Sequence, residues 1–361
     1  MKSAVTIMIM AGALLLGTAA AAQVSLTPPG LGPPPASKPP AKPAPKPPAK
    51  KPATAPAPAP TPPPEARPGI PILPNAIAAP TPDDPNADIV YGAFQRGQYK
   101  TAFDLATKRA QAGDPKAMTM LGELYSNAFG VKRDYAKAIE WYKRAADAGD
   151  RQAMFALAMI RLSGRGAPAD RQEAVGLLAS SAKLGEPKAA YNLALLYLDG
   201  QTFPQDLKRS AELLRMAADA GNPEAQYALA TFYKEGTGVP KDPAKAVRLL
   251  QQAALADNVD AEVEYAIALF NGTGTPKNET AAVALLRKAA RQNNPIAQNR
   301  LAHVLVTGRG APIDLVEGLK WHQIAKTAGN GDTQLDDAYA QLSPDDRAKV
   351  AAAVRLWFGN K

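Results

Sequence analysis

The chain has 361 residues, with 42 Lys and Arg against 33 Asp and Glu, a formal net charge of +9, 35 prolines and no cysteine. The missing cysteine excludes disulfides, zinc–thiolate centres, thiol catalysis and lipid attachment through an N-terminal cysteine. The positive charge does not point to nucleic acid. Lys2 and the proline-rich stretch (Lys38, Lys42, Lys46, Lys50, Lys51 and Arg67 against Glu65, Asp83 and Asp84) carry +4 of it, and the signs are interspersed elsewhere.

In chain order, residues 1–22 read as an export signal. Lys2 supplies the positive end, "AVTIMIMAGALLLG" the apolar stretch and "TAAAA" the small residues before Gln23. A periplasmic or secreted protein is expected. The alternative is an uncleaved inner-membrane anchor facing the periplasm, since Ala4 to Ala22 is an uncharged run. Residues 23–85 hold 24 of the prolines, between Pro28 and Pro85, with lysine at intervals. Proline removes backbone donors and the segment has too little apolar content for a core, so a disordered tether is expected. Fully extended as polyproline II, sixty-odd residues reach roughly 190 Å. Such a basic spacer could also touch a cell wall or membrane surface.

Residues 86–332 are expected to be a helical-repeat region. Alanines at 117, 153, 189, 225, 261 and 297 stand 36 residues apart without an insertion. Four places on come Leu121, Leu157, Leu193, Leu229, Tyr265 and Leu301, each followed by Gly122 or alanine. Together with an apolar residue three places after the leucine, they form one helix face. Glycine pairs such as Gly236 and Gly238 stop that helix. The column Asp134, Asp170, Asp206, Asp242, Asn278, Asp314 fits the N-cap of a second helix, which packs through Trp141, Leu177, Leu213, Leu249, Leu285 and Trp321 and ends near Gly149, Gly185, Gly221 and Gly329. Each 36-residue unit of 117–332 is thus a helical hairpin that buries its apolar face only by stacking. A shorter hairpin, 86–116, precedes the six units. Residues 333–361 are expected to form capping helices, with Ser343, Pro344 and Asp346 starting the last one.

The stretches "AMTMLGELYSNAFGVKRDYAKAIEWYKRAADAGD" and "AQYALATFYKEGTGVPKDPAKAVRLLQQAALAD" resemble Sel-one-like repeats, relatives of tetratricopeptide repeats with a longer loop. The resemblance covers about Ala87 to Gly329. It implies an all-α, right-handed αα-hairpin solenoid and a scaffold or adaptor that binds proteins or peptides, common in bacterial envelopes. The pattern departs from the family at Ala128–Gly130 and Gly200–Thr202, and the second-helix Trp-Tyr pair survives only at Trp141-Tyr142.

No catalytic, cofactor or metal site is expected. The glycine pairs follow helices and lack the Lys-Ser/Thr ending of a phosphate loop, His303 and His322 have no carboxylate cluster at ligand spacing, and no Gly-x-Ser-x-Gly elbow occurs. A monomeric, non-enzymatic protein with an unknown protein or peptide partner is expected; a structural spacer is the alternative. On each first helix, the second, sixth and ninth places after the starting alanine share a face. By resemblance to tetratricopeptide repeats this strip lines the concave surface. It holds Phe155, Met159 and Leu162 in unit two, Tyr191, Leu195 and Leu198 in unit three, Tyr227 in unit four, and Val263, Ile267 and Phe270 in unit five. Either these side chains anchor a peptide, or the winding of the superhelix buries them as core.

Overall fold

The computed structural model describes residues 88–200 and 204–359; the expected leader and proline-rich segment lie outside them. Among the described residues there are sixteen helices and no strand. A short helix α1 (Ile89–Gln95) pairs with α2 (Tyr99–Gln111). Six hairpins follow: α3 (Pro115–Asn127) with α4 (Tyr135–Asp147), α5 (Arg151–Ser163) with α6 (Arg171–Lys183), and α7 (Pro187–Asp199) with α8 (Leu207–Asp219). Then come α9 (Pro223–Glu235) with α10 (Pro243–Leu255), α11 (Val259–Asn271) with α12 (Glu279–Arg291), and α13 (Pro295–Thr307) with α14 (Leu315–Thr327). The helices α15 (Thr333–Ala340) and α16 (Pro344–Gly359) end the chain. From α1 to α15 each helix packs on its neighbours in sequence, so the hairpins stack into a solenoid.

Every helix from α2 to α14 is 13 residues long. Capping at both ends sets that length. The column expected to cap the second helices does so: each carboxylate or amide oxygen from Asp134 to Asp314 accepts the N–H three residues on, at 2.9–3.0 Å. The first helices are capped as well, by Asp114, Asp150, Glu186, Asn222, Asn258 and Asn294. The sequence reading passed over this second set. Its signal was an acid or amide three residues before each starting alanine, followed by proline in four of the six units. Most second helices end in a left-handed glycine, as at Gly149 and Gly221, with Asp257 and Asn293 in the same conformation where glycine is absent.

The loop after each first helix reaches one unit back. A Cβ on Gly310 would stand 2.7 Å from the carbonyl oxygen of Glu279, the first residue of α12. One on Gly238 would run into the carbonyl of Leu207, the first residue of α8, and one on Gly274 into that of Pro243; one on Gly166 would meet the Tyr135 Cβ, and one on Gly130 the Cβ and carbonyl carbon of Tyr99. In every case the partner lies 31 residues earlier. In unit three the column holds Thr202, outside the described residues.

Small residues let the helices close on one another. Fully buried columns run Ala138, Ala174, Ser210, Ala246, Ala282 and Gly318 on one side of the second helices, and Ala145, Ser181, Ala217, Ala253, Ala289 and Ala325 on another. The two serines in these columns are satisfied: Ser210 donates to the Ala194 carbonyl at 2.9 Å and Ser181 to that of Arg151 at 2.7 Å. The large residues at the centre are Tyr142, Leu178, Leu214, Leu250, Leu286 and His322, all buried. They lie one position after the column expected from the sequence, of which only Leu213 and Trp321 are buried. Both positions are apolar in most units, so periodicity alone did not separate them. At the C-terminal end α16 packs on α14, with Trp357 edge-on to Trp321 at 4.9 Å and Val350 fully buried. Asp346 donates its N–H to the Ser343 hydroxyl, which donates in turn to the Asp346 carboxylate.

The loop contact predicts unequal costs for two glycines with left-handed backbone. A Cβ at Gly221 (φ +84°) meets nothing within 4 Å, so Gly221→Ala should cost only the conformational term, about 1–2 kcal/mol. Gly238→Ala (φ +64°) adds a clash with helix backbone, for a total of about 3 kcal/mol or more. Urea unfolding of the two variants measures this. Equal losses would contradict the contact between units.

Candidate functional site

The strip on the first helices is not uniform. In unit one it is polar, made of Thr119, Glu123 and Ser126, and the side chain behind it reaches through to them. Gly122 leaves room for the Tyr142 ring: a Cβ there would lie 2.6 Å from two ring carbons. The Tyr142 hydroxyl passes between the helices, donates to Glu123 Oε2 at 3.1 Å and lies 3.4 Å from the Ser126 hydroxyl. Asn127 holds the other Glu123 oxygen at 2.6 Å. Burial, and then the Glu123 charge, push the Tyr142 hydroxyl well above the usual phenol range, so it stays protonated as a donor. Thr119 donates to the Asp150 cap of the next unit at 3.1 Å.

Units two to four carry the aromatic part. Phe155 on α5, Tyr191 on α7 and Tyr227 on α9 occupy one column, 36 residues apart. All three are half-buried and, like Leu162 and Leu198, pack their inner edges on the central core. Met159 and Leu195, one turn along, are half-buried without belonging to that ring of packed side chains. The structure therefore meets both alternatives partway: most of these side chains pack on the core, and all keep part of their surface accessible.

Carboxylates flank this column. Burial, followed by the Glu224 charge, raises the Tyr191 hydroxyl above its ordinary range. Burial, then Glu264, Asp260 and Glu235, does the same for Tyr227. Neither hydroxyl has a hydrogen bond to a described residue, and neither oxygen is among the buried unpaired atoms. Glu264 also pairs with Lys234 at 3.0 Å. The sequence reading missed these acids because it tracked apolar places only; they sit one place before, and three and ten places after, each starting alanine, beside the same helix face.

In unit five the expected strip fails at two places. Val263 and Phe270 are 4% and 3% exposed. A valine ends where a tyrosine of the same column begins to emerge. The Phe270 ring is covered by the Arg309 guanidinium of the next unit, 4.4 Å from the centroid. Ile267 remains half-buried. In unit six, His303 faces Asp332 at 3.1 Å and the fully buried His322 faces Asp336 at 2.8 Å, both on or at the cap of α15. Lys326, then His322, hold Asp336 below the usual carboxylate range. The two histidines thus join α15 to the last hairpin. Among the described residues no group of three or more His, Asp or Glu is gathered at metal-binding distance.

The Gly122–Tyr142 fit generates a double-mutant test. Gly122→Ala alone should destabilise the protein by about 1–3 kcal/mol through overpacking. Added to Tyr142→Leu, which restores the alanine–leucine pairing of Ala158 with Leu178, the same change should cost little. Thermal or urea unfolding reads the coupling. Additive losses would show that the ring does not occupy the space at Gly122.

A family model described as Sel1 repeat matches residues 115–150, 151–186, 187–222, 223–258, 259–294 and 295–330. Each match begins at the first helix of a hairpin and ends on its connection to the next. The fold is similar to the crystal structure of a Sel1 repeat protein from Oxalobacter formigenes, with a TM-score of 0.57 and 24% identity, covering 65% of this chain and 94% of that one. It is also similar to c5321, described as a protective antigen of uropathogenic Escherichia coli with an SLR fold, with a TM-score of 0.51 and 24% identity, covering 75% of this chain and 68% of that one. No curated protein matches the chain. The six consecutive family matches span well over half of the sequence, in register with the six observed hairpins: the chain belongs to the Sel1 repeat family.

Proposed function

We propose that this protein is an exported, non-enzymatic scaffold whose first-helix strip in units two to four docks a protein or peptide segment. Sel1 repeat proteins generally mediate protein–protein interaction, which supports the class. The observation that carries the site is the half-buried run of Phe155, Tyr191 and Tyr227 with Met159 and Leu195 beside it. Aromatic rings that are rigid at the base and open at the edge give contact area at little entropic cost, as in interaction hot spots. Ile267 extends the strip into unit five, while Val263 and Phe270 support it from below. Lys2, the apolar run and the small residues before Gln23 support export to the periplasm or medium.

The test uses residues whose loss does not open the core. Met159→Glu combined with Leu195→Glu should reduce capture of partners from the exported fraction by about tenfold or more, through two charges placed where apolar anchors dock. The far-UV helical signal should stay as in the unmodified chain. Capture unchanged by this double variant would remove the strip from the binding surface. Mass spectrometry of the exported protein should find Gln23 as its first residue; a membrane pellet retaining residues 1–22 would instead support the anchored spacer.

A further inference from the structure

The strip has a chemistry more specific than apolar, and it selects among ligands. The following rests on the docking reading above and narrows it. Phe155, Tyr191 and Tyr227 repeat once per hairpin on three successive first helices, each packed on the second helices beside it. A polyproline II helix turns once every three residues and rises about 9 Å per turn. Proline-rich segments in this conformation dock on aromatic-lined surfaces, and a row of rings along successive repeats is such a surface.

Polyproline II also leaves its carbonyls without internal partners. Tyr191 and Tyr227 offer hydroxyl donors that have no hydrogen bond to a described residue. On the same side stand the carboxylates of Glu224, Glu235 and Asp260, with Glu235 and Asp260 exposed. Lys234 offsets one further acid, Glu264, at 3.0 Å. The field beside the aromatic column is thus negative around unit four, which favours a cationic ligand.

We propose that the face of α5, α7 and α9 takes a lysine-bearing, proline-rich peptide segment in polyproline II conformation, with its prolines on Phe155, Tyr191 and Tyr227 and its lysines toward Glu224, Glu235 and Asp260. Proline supplies flat, stiff contacts that lose little entropy on binding, and the acids supply the preference for lysine over glutamate. The sequence "SKPPAKPAPKPPAKKPATAPAP", Ser37 to Pro58 of this chain, has that composition and serves as the probe.

The receptor is the full chain carrying Lys38→Glu, Lys42→Glu, Lys46→Glu, Lys50→Glu and Lys51→Glu, so that no segment of the recognised charge competes from within. Fluorescence anisotropy of the labelled peptide Ser37–Pro58 should show saturable binding that weakens as salt rises. A peptide with its lysines changed to glutamate, and one with its prolines changed to alanine, should each bind about tenfold more weakly or worse. Glu224→Lys with Glu235→Lys in the receptor should weaken the native peptide similarly, and Tyr191→Phe with Tyr227→Phe should weaken it several-fold while keeping the rings. Absence of saturable binding overturns the proposal. So does equal affinity for the alanine peptide, which would mean charge attraction alone, or indifference to Glu224→Lys with Glu235→Lys, which would place the peptide elsewhere. If this probe fails while Met159→Glu with Leu195→Glu still abolishes partner capture, the docking strip stands and its preference for basic polyproline falls.

Discussion

The stack depends on a backbone approach between units. In five of the six units the loop that follows the first helix lies, through a glycine, against the first residue of the second helix one unit back. A Cβ at any of these glycines would clash there, so the close approach requires glycine. With cap residues at the start of each repeat helix and left-handed residues at the end of most, it gives helices of equal length and a period of 36 residues without an insertion. An insertion of one residue within a helix would turn everything after it in that helix by about 100° and bring polar positions toward the core.

Because small residues and main chain define the frame, the larger side chains are free to differ. Tyr142 fits only because residue 122 is glycine, and its hydroxyl makes the strip of unit one polar. In units two to four the corresponding space is closed by an alanine on a leucine, and the strip above it carries aromatic rings instead. The C-terminal units turn the same positions to structural use, through Arg309 on Phe270 and His303 and His322 on the aspartates of α15. A frame that tolerates such exchanges suits a family whose members share a fold and differ in what they hold.

Much of this was legible in the sequence. The period, the helix pairs, the second-helix caps and the left-handed stops each correspond to one residue type in one column, and backbone geometry permits few alternatives there. The first-helix caps were less visible, since they mix Asp, Glu and Asn and stand outside the apolar pattern. The strip was legible by its spacing only. Whether a half-apolar face is covered depends on side-chain length and on the neighbouring unit, as Val263 and Phe270 show against Tyr191 and Tyr227. Periodicity carries no information on that. It also could not separate Trp141 from Tyr142 as the deeper residue, since both columns are apolar in most units and a shift of one place needs the actual packing to resolve.

The central claim is that the strip of the first helices, and not the opposite surface, meets the partner. A photo-crosslinking amino acid placed at Leu195 in the full chain, and separately at Leu255, which is 80% exposed at the end of a second helix, tests it in the cell. Leu195 should yield a discrete crosslinked species and Leu255 none. Identical products from both positions, or products from Leu255 alone, would contradict the account.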